Sequence, residues 1–309
     1  MTPENPPTGI ALVDKPGRVT SHDIVARARR ALGTRKIGHA GTLDPMATGL
    51  LILGVGGATR LLTYLVGLDK TYLATIRLGQ ATDSDDADGA ITRTADADAL
   101  ASTTSIAIAA GVRALTGRIA QVPSTVSAIK VDGRRAYDLA RAGQSVELAA
   151  REVTVSRFDV IAERRTPEAI ELDVVVDCTS GTYVRALARD LGEALGLGGH
   201  LTALRRTRIG GFEVAEAAAP DEISLTMDAA AAAVRAMPRI EVTADQARDL
   251  RHGKRLAGAA SALDVAAADR PGGPSPRAAA VDPGGRLVGI VERRGADLKS
   301  AMNMPEEAP

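Results

Sequence analysis

Asp44 is the only carboxylate between Asp23 and Asp69. It stands in the stretch Lys36-Ile37-Gly38-His39-Ala40-Gly41-Thr42-Leu43-Asp44-Pro45-Met46-Ala47-Thr48-Gly49-Leu50-Leu51. Gly38, Gly41 and Gly49 surround it, and glycine serves where backbone bends sharply or approaches a ligand closely. Pro45 biases Asp44 away from helical geometry and fixes the next turn. A lone acid on a stiff loop, with His39 nearby, reads as a reactive group held in place. The ordinary reading of the same spacing is a turn aspartate bonding its own backbone. Spacing alone favours that reading, so the choice rests on the wider sequence.

This stretch resembles the signature of the TruB family of tRNA pseudouridine synthases, G-H-x-G-x-L-D-P-x-A-T-G-x-L, which Gly38 to Leu51 matches at every fixed position. Asp14-Lys15-Pro16-Gly17, Lys70-Thr71-Tyr72, Ser180-Gly181-Thr182-Tyr183-Val184-Arg185 and Leu204-Arg205-Arg206 resemble further motifs of the same family. The resemblance covers Gly9 to Phe212 well and the rest weakly. It implies an isomerase that breaks the bond from uracil N1 to ribose C1′ and remakes it from C5, at the T-loop uridine of tRNA, position 55. Nothing is oxidised and no group is imported, so neither metal nor organic cofactor is expected.

By motif match Asp44 is the essential aspartate. Its carboxylate attacks ribose C1′, adds to uracil C6, or removes a C2′ proton, and the sequence does not choose among these. A lone anion in a closed pocket is costly. The resemblance implies that Arg185 pairs with it, and arginine suits that part because it stays protonated and offers a planar fork. Tyr72 is expected to stack on the flipped uracil, as aromatics do on unstacked bases, or to help move the C5 proton. Tyr183 is expected to contact substrate, and Leu204 to pack against the target nucleotide. His39 is expected to contact RNA and help fill the space left by flipped bases, rather than act as a base. Lys15 and Pro16 are expected to support the active-site loop at the substrate site. The bland alternatives are a core tyrosine at 72 and a helix-surface arginine at 185.

Flipping a base costs a few kcal/mol, so the protein must grip RNA backbone around the target. Arg27, Arg29, Arg30, Arg35 and Lys36 form one basic group, and Arg205, Arg206 and Arg208 a second. Residues 121–150 align with a thumb-like RNA-binding insertion, in which Arg134, Arg135 and Arg141 would face phosphates. The partner expected is the tRNA T-arm, with no membrane, no obligatory protein partner and a monomeric state. Two rival readings are a guide-RNA-dependent synthase of the dyskerin type and an RNA-binding or RNA-folding protein whose catalysis is secondary. A haloacid-type hydrolase is discounted, because Met46 stands where that pattern needs its second acid.

Composition bounds these readings. The 309 residues are 45% hydrophobic but only 2% aromatic, with no Trp, so the core must be aliphatic and each tyrosine is informative. Lys plus Arg equals Asp plus Glu, so bulk charge gives no sign of nucleic-acid binding. Cys178 is the only cysteine, which excludes an intramolecular disulfide. His22, His39, His200 and His252 lack metal-ligand spacing. No P-loop or Rossmann glycine fingerprint is present. The Pro-rich amino terminus is not a basic-then-apolar leader, and no apolar run reaches membrane-helix length. A cytoplasmic location is expected.

The elements that must position these residues follow from pattern. Gly9–Val13 reads as a buried strand, and Thr20 or Ser21 can cap a helix whose stripe is Ile24, Val25, Ala28, Ala31 and Leu32. Leu50–Val55 reads as a strand, Arg60–Val66 as a short helix, and Lys70–Gly79 as a strand with Tyr72, Ala74, Ile76 and Leu78 on one face. Asp83, Asp85, Asp86 and Asp88 read as an acidic turn, since the calcium-loop pattern fails at Ala87. Ala99–Leu115 and Arg134–Ala142 read as helices, Glu152–Val160 and Glu171–Cys178 as strands. Thr179-Ser180-Gly181-Thr182 can cap a helix at Tyr183, and Pro220–Met237 reads as helical.

Strands mixed with helices, without strict alternation, predict an α+β fold with a mixed, mainly antiparallel sheet flanked by helices. A pseudouridine synthase catalytic domain is expected over 9–237. A small β-rich, PUA-like C-terminal domain is expected over 238–303, with a disordered segment at 257–280.

Overall fold

The computed structural model describes residues 7–124, 130–131, 134–135, 148–268 and 276–305. In chain order, β1 (Gly9–Lys15), α1 (Ser21–Ala31), β2 (Ile37–His39) and β3 (Thr48–Val55) precede a 3₁₀ turn and α2 (Leu62–Leu65). Then come β4 (Lys70–Leu78), β5 (Gln80–Thr82), β6 (Ile91–Thr94), α3 (Ala97–Ser102), α4 (Ser105–Ala114) and β7 (Gly117–Gln121). The short pair β8 (Lys130–Val131) and β9 (Arg134–Arg135) is followed by β10 (Arg151–Arg165), β11 (Ile170–Cys178), α5 (Val184–Ala194), β12 (Gly199–Ile209) and β13 (Phe212–Glu213). The chain continues through α6 (Ala229–Ala236), β14 (Arg239–Glu241), α7 (Ala244–Arg251), α8 (Ser261–Ala268), β15 (Arg277–Val281), β16 (Leu287–Arg294) and β17 (Asp297–Asn303).

The chain divides into two compact units, one of Pro45–Thr48 with Asp69–Ile209, the other of Met1–Asp44, Gly49–Leu68 and Gly210–Pro309. In the first, the strands run β12-β4-β11-β10-β7, each antiparallel to its neighbour. Alternation builds this sheet: on β11, Ile170, Leu172, Val174, Val176 and Cys178 are buried while the residues between them are half-exposed. β11 and β12 both pair with β4, so α5 carries the chain across β4 from one to the other. Its apolar stripe of Val184, Leu187, Ala188 and Leu191 is buried.

In the second unit, β1 pairs with β3 and β3 with β2, all antiparallel. α1 covers them, burying Ile24, Val25 and Ala28 against Ala11, Val13, Leu51 and Leu53. Thr20 caps α1 in a reciprocal capping box with Asp23. A four-stranded sheet, β14-β15-β16-β17, holds the C-terminal part, with β14 parallel to β15 and the other pairs antiparallel. The architecture is α+β.

Several elements differ from expectation. The Ala99–Leu115 helix is two helices, because Thr104 turns out of helical geometry and caps α4 by accepting the Ala107 N–H at 3.2 Å. Only Ala229–Ala236 of Pro220–Met237 is α-helical. Preceding residues instead lie against β1, with Ile10 N–H donating to Met227 O and Ala218 N–H to Leu12 O. Arg134–Arg135 forms a strand, not the start of a helix; Arg141 and the side chains of Arg134 and Arg135 lie outside the described residues. Within the segment expected to be disordered, α8 forms because Leu263 and Ala267 find burial, Leu263 in the core with Ile240, Leu250 and Val288. Residues 269–275 of that segment lie outside the described residues.

Candidate active site

Asp44 lies half-buried in the loop from β2 to β3. Gly41 (φ 92°) and Gly49 (φ 102°) flank it in left-handed backbone, where a Cβ would be strained. Ser21, the first residue of α1, clamps the residue before it: its Oγ accepts the Leu43 N–H at 2.9 Å and donates to Leu43 O at 3.2 Å. Ser21 is 1% and Leu43 4% exposed, so both bonds lie out of water. Ala40 N–H donates to Ile52 O at 2.9 Å. The loop is thus bound to a capped helix on one side and to β3 on the other.

Lys15, fully buried, donates from Nζ to Pro16 O at 2.9 Å and Val19 O at 2.7 Å, tying down the turn that leads into α1. His39 ends β2, half-buried, with its ring edge-on to His22 at 5.4 Å between centroids. Arg27, Arg29, Arg30, Arg35 and Lys36 are all exposed and form a basic surface.

Tyr72, Leu204, Tyr183 and Arg185 belong to the other unit. Tyr72 lies on the buried face of β4, directly across from Arg206 on β12 and Val176 on β11. Leu204 shares the buried alternation of β12 and borders an open hollow of about 430 Å³ with Met46, Thr48 and Arg205. The same alternation puts Arg206, at 1% exposure, inside the protein, so it is not one of the surface grips expected of the second basic group. Arg205 and Arg208 remain partly exposed.

Two positions before Tyr72 the buried face of β4 carries Lys70. Burial, and next the Arg206 cation, push its amine down to about 8. Cys178, paired with Lys70 in register, has its thiol pushed up to about 11 by burial. Tyr72 therefore has two buried basic side chains beside it in the sheet, Lys70 on its own strand and Arg206 across from it.

Arg185 is 3% exposed. Its Nη1 donates to Ser84 O at 2.8 Å and meets Asp86 Oδ2 at 3.2 Å. One helical turn later, Arg189 Nη1 meets Asp85 Oδ2 at 3.2 Å. Burial raises the Asp85 carboxyl above its usual range, against the pull of Ser124 and Arg189. The acidic turn is thus a socket for the arginines of α5. It is held open by Asp85 in left-handed backbone (φ 60°) and by Thr82 Oγ1 donating to Asp86 O at 2.8 Å. The sequence shows Asp85 and Asp86 only as members of an acidic turn and Lys70 only as part of a motif, and it gives Gln121 no role of its own. A usable signal was present for Lys70, a charge on the inward side of a clear alternation.

The helix expected to be capped by Thr179–Thr182 starts one residue later. Thr182 Oγ1 donates back to Thr179 O at 3.0 Å, closing a turn, and Tyr183 takes the N-cap position without a side-chain cap bond. Among the described residues no group of three His, Cys, Asp or Glu side chains could hold a metal ion, and no helix is long and apolar enough to cross a membrane.

Solved structures place the fold. A chain in the structure of an H/ACA ribonucleoprotein bound to a substrate RNA containing 2′-deoxyuridine matches with a TM-score of 0.66 at 20% identity, over 97% of this chain and 85% of that one. A chain of a Cbf5-Nop10-Gar1 complex matches with a TM-score of 0.65 at 21% identity, over 97% and 84%. At such identity the likeness is one of fold, and that fold is the pseudouridine synthase fold. The model of the TruB family pseudouridylate synthase N-terminal domain matches residues 29–184. Those of the tRNA pseudouridylate synthase B C-terminal domain and of the tRNA pseudouridine synthase II C terminus match 185–238 and 237–305.

The chain belongs to the TruB family of pseudouridylate synthases and is an isomerase. It is 53% identical over 303 residues to tRNA pseudouridine synthase B of Leifsonia xyli, covering 97% of each chain. It is 58% identical over 256 residues to the protein of that name from Nocardia farcinica, covering 82% of this chain and 83% of that one. It is 51% identical over 299 residues to that of Rhodococcus jostii, covering 95% and 93%.

Proposed function

We propose that this protein converts uridine to pseudouridine in tRNA, at the T-loop uridine, position 55, with Asp44 as the nucleophile on a flipped-out nucleotide. One observation carries the reading. A half-buried aspartate follows a residue clamped at both backbone groups by a buried serine, in a chain 53% identical over 97% of its length to a protein named tRNA pseudouridine synthase B. Rigid placement of a reacting group is what a nucleophile gains most from. Tyr72 offers a ring to the flipped uracil, Leu204 an apolar contact, and Tyr183 and His39 further substrate contacts. Arg185 is the charge serving the nucleophile, and its bonds to Ser84 and Asp86 keep it preorganised. Lys15 supports the substrate site through the turn it ties down. The exposed arginines of α1 give phosphates a surface to meet. Residues 9–237 form the catalytic part in this reading and 238–303 the accessory one.

The test is release of tritium from uracil C5 of an unmodified, labelled tRNA transcript, with no added metal, cofactor or guide RNA. Wild type is expected to release it and Asp44→Asn to release none. Replacing the T-loop uridine by cytidine should abolish release. Tight tRNA binding without release by wild type would overturn the reading and favour a guide-dependent or RNA-folding role.

A further inference from the structure

Gln121 is the last residue of β7 and is paired in register with Arg151 of β10, so it sits on the sheet itself. It is 2% exposed. Its side-chain amide makes a reciprocal pair with the backbone of Tyr183: Oε1 accepts the Tyr183 N–H at 2.8 Å, and Nε2 donates to Tyr183 O at 3.1 Å. The orientation of the amide is fixed by its partners, because a backbone N–H can only donate and a carbonyl can only accept. Two bonds to one residue fix both its position and its direction.

That residue is the N-cap of α5 and lacks a capping side chain of its own. Helix starts leave backbone N–H groups unsatisfied and usually recruit Ser, Thr, Asp or Asn to the cap. Here a glutamine from a neighbouring strand holds the cap residue. Arg185 follows two residues later. A second tie reinforces the first: Arg189 Nη2 donates to Val122 O at 2.7 Å, next to Gln121. The opening turns of α5 are bound to the end of β7 at two points, and the Asp85–Asp86 turn receives their arginines on another side.

We propose that Gln121 is a positioning residue for pseudouridine formation, setting Tyr183 and Arg185 through its amide pair with the Tyr183 backbone. The inference rests on the proposed reading that Tyr183 and Arg185 serve the isomerisation. It assigns Gln121 a task in the reaction, not only in the sheet. Gln121→Met keeps length and volume but neither bond. Gln121→Glu keeps an oxygen for the Tyr183 N–H, at a helix start that favours negative charge, and loses the donor to Tyr183 O.

Both variants are assayed by tritium release from tRNA as a function of concentration, well below their melting temperatures, and by amide hydrogen exchange at Tyr183. Misplacing a reacting group by about 1 Å costs about 100-fold, so Gln121→Met is expected to lower kcat about 10- to 100-fold with KM within about 3-fold. The Tyr183 amide should exchange faster in Gln121→Met, and Gln121→Glu should recover part of both losses. Wild-type kcat per folded molecule in Gln121→Met, with only a lower melting temperature, would overturn the inference. If Gln121→Met does not fold, Gln121→Glu decides: wild-type kcat with unchanged exchange overturns it, and a kcat loss at unchanged KM supports it. If wild type itself releases no tritium, the functional reading has failed, and the Tyr183 amide alone judges the positioning. Exchange unchanged by Gln121→Met would then sink it.

Discussion

Asp86 meets Arg185 at 3.2 Å with 7% and 4% of the two side chains exposed, so neither charge has water to fall back on. Removing one partner of such a pair leaves a buried charge uncompensated and typically costs about 3–5 kcal/mol. Asp86→Asn is therefore expected to lower stability by about 3 kcal/mol, seen as a shifted denaturation midpoint at unchanged slope. Arg185→Lys keeps the charge but not the fork that reaches Ser84 O and Asp86 together. Its kcat should fall at least about 10-fold, as removal of a preorganised donor does, while tRNA affinity stays near wild type. Wild-type turnover in Arg185→Lys would show that fixed orientation of this arginine is irrelevant. Arg185 was legible as a motif residue; its Asp86 partner was not. A run of aspartates before a glycine reads as a solvated turn, and nothing local says that it folds over a helix from a hundred residues further on.

At the scale of elements, the strands were the most legible, because alternation such as that of Leu172, Val174, Val176 and Cys178 admits one reading. Helices were less so. Ala99–Leu115 has helical composition throughout, yet Thr104 breaks it by capping α4. The segment expected to be disordered contains α8, because burial against Ile240 and Leu250 outweighs its Ala- and Gly-rich composition. The Asp44 loop was legible as stiff, while the clamp that stiffens it was not, since Ser21 looked like a capping residue and Thr20 takes that role. Ser21→Ala should leave the capping box intact and release both Leu43 bonds. Stability should fall about 1–2 kcal/mol and kcat by about 10-fold or more. An unchanged kcat would mean that the clamp serves the fold alone.

The turn from β15 to β16 gives a pH-dependent case. Burial pushes the Asp282 carboxyl up, but the N–H groups of Arg286 and Gly284 and the Arg251 guanidinium pull harder, and the net result lies below the usual carboxylate range. A depressed carboxyl stabilises the fold above its unfolded value and loses that stabilisation as pH falls through the folded one. Asp282→Ala should melt below wild type at pH 7, and the gap should close on acidification below about pH 5. A gap independent of pH would refute the role given to the charge.

For the whole molecule, the chain ends and the middle are not interchangeable. The unit containing β1, α1 and β3 also contains residues from Gly210 onward. One edge of β1 pairs with β3. Along β1, Ile10 and Asp14 donate to Met227 O and Ala218 O at 2.9 Å each, Leu12 N–H donates to Thr226 Oγ1 at 3.0 Å, and Thr226 N–H donates to Ile10 O at 2.8 Å. Phe212, fully buried, belongs to the same unit. A chain ending at Ile209 would leave that edge of β1 bare, and an unpaired strand edge is both unstable and prone to associate. A chain ending at Met237 would keep β1 paired and lose the four-stranded sheet, whose core of Ile240, Leu250, Val288 and Leu298 is its own. The 1–209 fragment keeps the strands β12-β4-β11-β10-β7 but is expected to lose the thermal transition of the unit that contains β1, and to aggregate. The 1–237 fragment should melt cooperatively at a lower temperature, having lost the contacts of Arg277 with Tyr64 and of Arg60 with Asn303 O. Circular dichroism melts of the two fragments beside the full chain decide it. A 1–209 fragment that melts like the full chain would mean that β1 draws no stability from residues 218–227.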